Sequence, residues 1–144
     1  MAEPEDYSID QAIQALALPS SAAFRMGTVA SADVVTQVKE RFSIPGNPRA
    51  LWMGLSPESK APYVDWTERR ALVEGALSQF PSLRCFLIVD SDGADWIVYD
   101  CLASVISNLL EESSILEFCA VDATFRLLLA NSDHNEIMVA TSSA

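Results

Sequence analysis

The sequence predicts an α+β fold: a helical N-terminal half packed on an antiparallel or mixed sheet of about five strands from the C-terminal half. Three observations carry this expectation. Apolar residues recur at helical intervals up to Pro81, they change to short unbroken runs after it, and turn chemistry separates those runs. At 144 residues, half of them apolar and a fifth charged, the chain has the length and composition of one globular domain. Residues 1–81 read as its mainly helical part, and 82–144 as a β-hairpin, a helix and three strands.

Ser8-Ile9-Asp10-Gln11 has capping-box spacing, and Ile9, Ile13 and Leu16 then repeat helically until Pro19 stops them. Ser31 is placed to cap a second helix whose stripe is Val34, Val35, Val38 and Phe42, with Lys39, Glu40 and Arg41 in water. Arg49 to Pro62 reads as an ordered loop with a short helical turn, because Pro57 and Pro62 remove donors. Asp65-Trp66-Thr67-Glu68 is a capping box with Asp in the Ser/Thr place. It opens a third helix with Trp66, Leu72, Val73, Ala76, Leu77 and Phe80 on its apolar face and Arg69-Arg70 on its polar side. Gly75 weakens that helix and suggests a close packing contact.

Cys85 to Val89 reads as a strand covered on both faces, Asp90 to Gly93 as a turn, and Trp96 to Tyr99 as the second strand of a hairpin. Asp100 is placed to cap a helix carrying Cys101, Leu102, Val105, Ile106, Leu109 and Leu110 on one side. Ile115 to Val121, Phe125 to Leu129 and Ile137 to Thr141 are three further strands. Turns fall at Asp122-Ala123 and at Asn131 to Asn135.

Charge is distributed unevenly. The last sixty residues hold ten acids against Arg126 alone, whereas the first eighty-four hold ten acids and eight bases. A net charge of −11 concentrated in this way opposes binding to nucleic acid or to an anionic membrane surface. No apolar run approaches the roughly twenty residues of a membrane span. The acidic start, Met-Ala-Glu-Pro-Glu-Asp, is unlike a signal peptide, so the expected location is the cytoplasm. Cys85, Cys101 and Cys119 share no metal or disulfide spacing and read as small buried hydrophobes.

Two constellations invite chemistry. Asp133, His134 and Glu136 have the residue types of a general acid/base group or of part of a metal site, centring a metal-dependent or hydrolytic enzyme. A polar turn between two strands is the simpler account of them. Asp90, Asp92 and Asp95 lie around Gly93, but neither Gly93 nor Cys101 fits the spacing of a calcium loop, so a hairpin turn is the simpler account. No P-loop, dinucleotide fingerprint or nucleophile elbow occurs, and no cofactor is expected. Trp52, Tyr63 and Trp66 flank the proline-rich loop, as core anchors or as the lining of a groove.

In order, Phe86-Leu87-Ile88-Val89, Asp95-Trp96-Ile97-Val98-Tyr99, Leu116-Glu117-Phe118, Val121-Asp122 and Phe125-Arg126-Leu127-Leu128 resemble a family of small uncharacterised bacterial proteins of immunity-protein type. The likeness covers roughly the last sixty residues. The closing box here, Asn131-Ser132-Asp133-His134-Asn135, has one histidine where that family has two, which puts any metal or catalytic role of the box in question. The resemblance implies an immunity protein that neutralises a toxin. Charge independently points to a non-enzymatic module with a basic protein partner, contacted by Asp90, Asp92, Asp95, Glu111, Glu112, Asp133, His134 and Glu136. A structural or adaptor domain, acidic for solubility, is the other reading.

Overall fold

The computed structural model describes residues 8–46, 48, 50–89 and 96–142. Within them the chain is α+β, with four helices and one antiparallel sheet of seven strands. In chain order the elements are α1 (Ser8–Ala15), β1 (Ala23–Arg25), α2 (Thr28–Arg41), β2 (Ser59–Pro62), α3 (Trp66–Leu77), β3 (Arg84–Val89), β4 (Ile97–Leu102), α4 (Ile106–Ser113), β5 (Phe118–Asp122), β6 (Leu127–Asn131) and β7 (Glu136–Thr141). Short 3₁₀ turns cover Leu51–Gly54 and Ala103–Val105.

The strands lie in the order β1-β4-β3-β5-β6-β7-β2. The five strands expected of the second half form the centre, and the half expected to be helical adds both edges. Three residues of β1 and four of β2 are too few to show a period of two, and Pro62 argues against a strand by composition. An edge tolerates proline, and β2 binds β7 in the register Ser59↔Val139 to Pro62↔Glu136.

Alternation along the central strands sorts two cores. Cys85, Leu87, Val89, Tyr99, Cys101, Ala120 and Leu129 face α1, α3 and α4. Ile88, Val98, Cys119, Val121, Leu128, Ala130 and Met138 face α2 and the 51–54 turn. Both faces are covered, so β3, β5 and β6 read as continuous apolar runs although they are antiparallel.

Several local expectations need correction. The second helix begins at Thr28 with Gly27 as its N-cap, and Ser31 is a buried residue within it. Asp100 caps no helix: β4 runs on to Leu102, because Asp100, Cys101 and Leu102 pair with Phe86, Cys85 and Arg84. Helix α4 therefore starts only at Ile106. Asn131, expected in a turn, is the buried last residue of β6. The Asp65 cap holds, with the carboxylate accepting from the Glu68 amide at 2.9 Å, while the Glu68 carboxylate takes the Val64 amide at 2.8 Å.

Helix α3 sets its faces differently from the sequence reading. Trp66 is 49% exposed, whereas Arg69 is 2% exposed and belongs to the interior. Gly75 has no close contact: a Cβ built there meets nothing within 4 Å. The glycine thus weakens the helix with no compensating packing. Gly75→Ala is expected to raise unfolding stability by about 0.5–1 kcal/mol, read as a higher urea midpoint at unchanged slope.

Asp122, at the end of β5, is fully buried. Its carboxylate accepts the amides of Thr124 (2.8 Å), Arg126 (2.9 Å) and Leu127 (2.7 Å), with the Thr124 hydroxyl as a further donor. One side chain satisfies three turn amides, so this acid serves the fold. Asp122→Ala would leave those donors unpaired and is expected to cost about 3 kcal/mol in equilibrium unfolding.

Candidate acidic and aromatic end of the sheet

Because every strand is antiparallel, the ends of the sheet can be read from the register. Val89 opposite Ile97, Phe118 opposite Asn131, and Glu136 opposite Pro62 all lie at one end. The β6–β7 turn carrying Asp133 and His134 is at that end, and the segment from Ser114 enters it after α4, turning at Ser114 in a left-handed conformation (φ 58°). Glu111 and Glu112, on the last turn of α4, precede that segment. Asp90, Asp92 and Asp95 lie outside the described residues. Their flanking strand residues, Val89 and Ile97, belong to this end.

The turn residues are solvent-facing. His134 Nε2 sits 3.3 Å from Asp133 Oδ1, with the two side chains 73% and 43% exposed. Glu136 is half-buried at the start of β7. Among the described residues no group of three or more His, Cys, Asp or Glu is arranged to hold a metal ion. The three cysteines are buried free thiols within the sheet. Cys85 and Cys101 face each other across β3 and β4 with sulfurs 4.0 Å apart. That contact and burial push the Cys101 thiol well above its usual range. Burial, with the nearby Glu117 charge adding to it and a backbone hydrogen bond from Trp52 opposing it, pushes the Cys119 thiol up to about 12.

Glu111, expected to contact a partner, and Asp100, expected to cap a helix, are both held in ion pairs. Glu111 Oε2 is 2.6 Å from Arg70 Nη1, which offsets its unfavourable place at the negative end of the α4 dipole. The hydrogen bond with Glu111 raises the Arg70 guanidinium above its usual value. Asp100 pairs with Arg84 at 2.8 Å near the opposite end of the sheet.

The residue that sequence reasoning passed over is Glu117. It is half-buried just before β5, and its Oε1 accepts the indole N–H of Trp52 at 2.9 Å. The Trp52 ring also meets His134 edge-on, with ring centroids 6.1 Å apart. Trp52, Trp96 and Glu117 line a shallow recess together with Leu51, Ile88 and Cys119; its roughly 200 Å³ includes space open to solvent. Trp52 comes from the proline-rich loop and Trp96 from the start of β4, 44 positions apart in the chain. No local spacing could have joined them to Glu117.

On the other face of the same end, Arg69 is bound into a polar cluster. Its Nε donates to Asn131 Oδ1 at 2.7 Å, and its Nη2 donates to the carbonyls of Ile115 (2.9 Å) and Leu116 (3.1 Å). Tyr63 donates its hydroxyl to the same Asn131 oxygen at 3.1 Å. The rings of Trp66 and Phe118 lie 4.5 Å and 5.5 Å from the guanidinium carbon. Burial pulls the Arg69 guanidinium below its usual value, and Tyr63 opposes that shift.

No protein-family model matches the chain, and neither do curated proteins or solved structures. Among the described residues no helix is long and apolar enough to cross a membrane.

The Cys119 shift has a consequence that can be measured. The folded pKa lies above the usual 9.0, so the folded protein keeps a proton that the unfolded chain releases. The associated stability is complete below the unfolded value and is lost as pH rises from there to about 12. Unfolding free energy should therefore fall through that window by up to about 1.4 kcal/mol per pH unit from this group. Cys119→Ala should show a shallower fall than the native protein.

Proposed function

We propose that this protein is a non-enzymatic binding module, of immunity type, whose acidic and aromatic sheet end engages a basic protein partner. One observation carries the reading: Glu117 is held by the Trp52 indole beside Trp96, in a recess next to Asp133 and His134. Aromatic side chains supply large contact area and favour cations over their faces, while a positioned carboxylate pairs with Lys or Arg. Exposed acids around such an anchor steer a basic surface toward it, which raises the association rate before contact is made.

This reading narrows the contact set. Trp52, Trp96 and Glu117 form the anchor, and Asp133, His134 and Glu136 are neighbours at the same end. Glu112 is exposed on the last turn of α4, and Glu111 is engaged by Arg70. The hairpin acids Asp90, Asp92 and Asp95 join the steering field through their charge.

The test starts with basic proteins retained from native lysate, purified and mixed with this protein in stopped flow. Association should slow by about tenfold or more between low and physiological salt. Trp52→Ala or Glu117→Gln should speed dissociation by about tenfold or more, as expected of an anchor. An association rate indifferent to salt, together with unchanged dissociation in both variants, would rule the reading out.

A further inference from the structure

Exposed apolar side chains gather at the acidic end of the sheet, on the α3 side. Val64 is 87%, Trp66 49% and Leu116 38% exposed. Single exposed apolar residues are ordinary, whereas a contiguous group of them marks a contact surface. Arg69 shows that Trp66 and Leu116 are neighbours. Its guanidinium carbon lies 4.5 Å from the Trp66 ring centroid, and its Nη2 donates to the Leu116 carbonyl at 3.1 Å. Val64 stands one residue before the Asp65 cap, its amide held by the Glu68 carboxylate at 2.8 Å. Trp66 also borders a shallow recess between α3 and α4, where Val73 and Leu110 continue the apolar surface.

The accessible charges beside this patch are acidic. Asp65 and Glu68 flank Val64 and Trp66 in the chain, and both are exposed. Glu112 is exposed on the last turn of α4, which leads to Leu116. The bases of α3 are engaged. Arg69 is 2% exposed beneath Trp66, and Arg70 is held by Glu74 at 3.3 Å and Glu111 at 2.6 Å. Lys60 lies back along β2, about 13 Å from Val64 at the rise of an extended strand. Apolar surface edged by carboxylates complements a segment that is apolar on one side and basic at its margins.

We propose that this patch docks a basic amphipathic helix of the partner, with large apolar side chains on Trp66, Leu116 and Val64 and Lys or Arg against Asp65, Glu68 and Glu112. The inference rests on the partner reading above and extends its contact around the end of the sheet. Leu116 and Glu117 are consecutive, with Glu117 bonded to Trp52 on one face and the Leu116 carbonyl bonded to Arg69 on the other. The two anchors therefore meet at this pair of residues. A helix fits better than an added strand, because the sheet edge on this side, β2, is four residues long and ends at Pro62, which has no N–H to donate.

The test uses the full chain and a synthetic amphipathic helix of lysine and leucine, followed by NMR titration. The peptide should bind saturably and shift the Trp66 indole and the Val64 and Leu116 amide resonances. A peptide with serine in place of leucine should bind about tenfold or more weakly, and one with glutamate in place of lysine should not bind. Trp66→Ser should weaken binding of the lysine–leucine peptide by about tenfold, and Val64→Ser by about threefold. Val64→Ser alters a side chain that is almost fully in water, so it should melt as the native protein does and report contact alone. Absence of peptide binding, or native affinity in both variants, overturns the proposal. Shifts confined to Trp52 and Trp96 also overturn it, while leaving the Trp52–Glu117 anchor in place.

Discussion

The buried guanidinium of Arg69 organises this molecule more than any other single group. It reaches from α3 to the last residue of β6 and to the carbonyls that lead into β5. Asn131, which it shares with Tyr63, ties the exit of β2 to the same point. Three regions distant in sequence, 63–69, 115–116 and 131, thus converge on a few hydrogen bonds at one end of the sheet. A charge buried in this way is costly to leave unpaired, so the surrounding chain has little freedom to move while it stays folded. The Trp66 ring over the guanidinium adds a cation–π contact and screens it from water on its open side.

That anchoring explains why the polar features gather where they do. The segment whose carbonyls bind Arg69 continues directly into Glu117, and Glu117 holds Trp52 on the opposite face. The β6–β7 turn begins one residue after Asn131, where Ser132 accepts the His134 amide and donates its own amide to Glu136. Positions 115–117 and 131–136 are thereby set against one another by backbone geometry. The recess between α3 and α4 and the Trp52–Trp96 recess are the two sides of this junction. One presents apolar surface beside the buried Arg69, and the other holds the Glu117 carboxylate against Trp52.

The same geometry divides the acidic residues by task. Asp122 is consumed by the β5–β6 turn, Asp100 by Arg84, and Glu111 by Arg70. A list of ten carboxylates in the last sixty residues conceals these differences, since a partner can lie far along the chain, as Trp52 lies 65 positions from Glu117. Net charge describes the field felt by a distant partner, while the contact itself depends on which carboxylates are placed beside apolar surface.

Much of the fold was legible in the chain. Periodicity located α1, α2 and α3, the apolar runs located the central strands, and the Asp65 box was read correctly, because each depends on neighbours within a few residues. What stayed hidden depended on long-range pairing. The edge strands β1 and β2 exist only because β4 and β7 offer them a free edge, and Asp100 joined a strand because Phe86 lay opposite. Arg69 looked like half of a surface pair, yet α3 is rotated so that it points inward and Trp66 lies at the surface. The sequence by itself determined composition, charge asymmetry, the local helices and the apolar strands. Only the tertiary structure decided which polar groups meet, because burial and pairing are properties of segments brought together from across the chain.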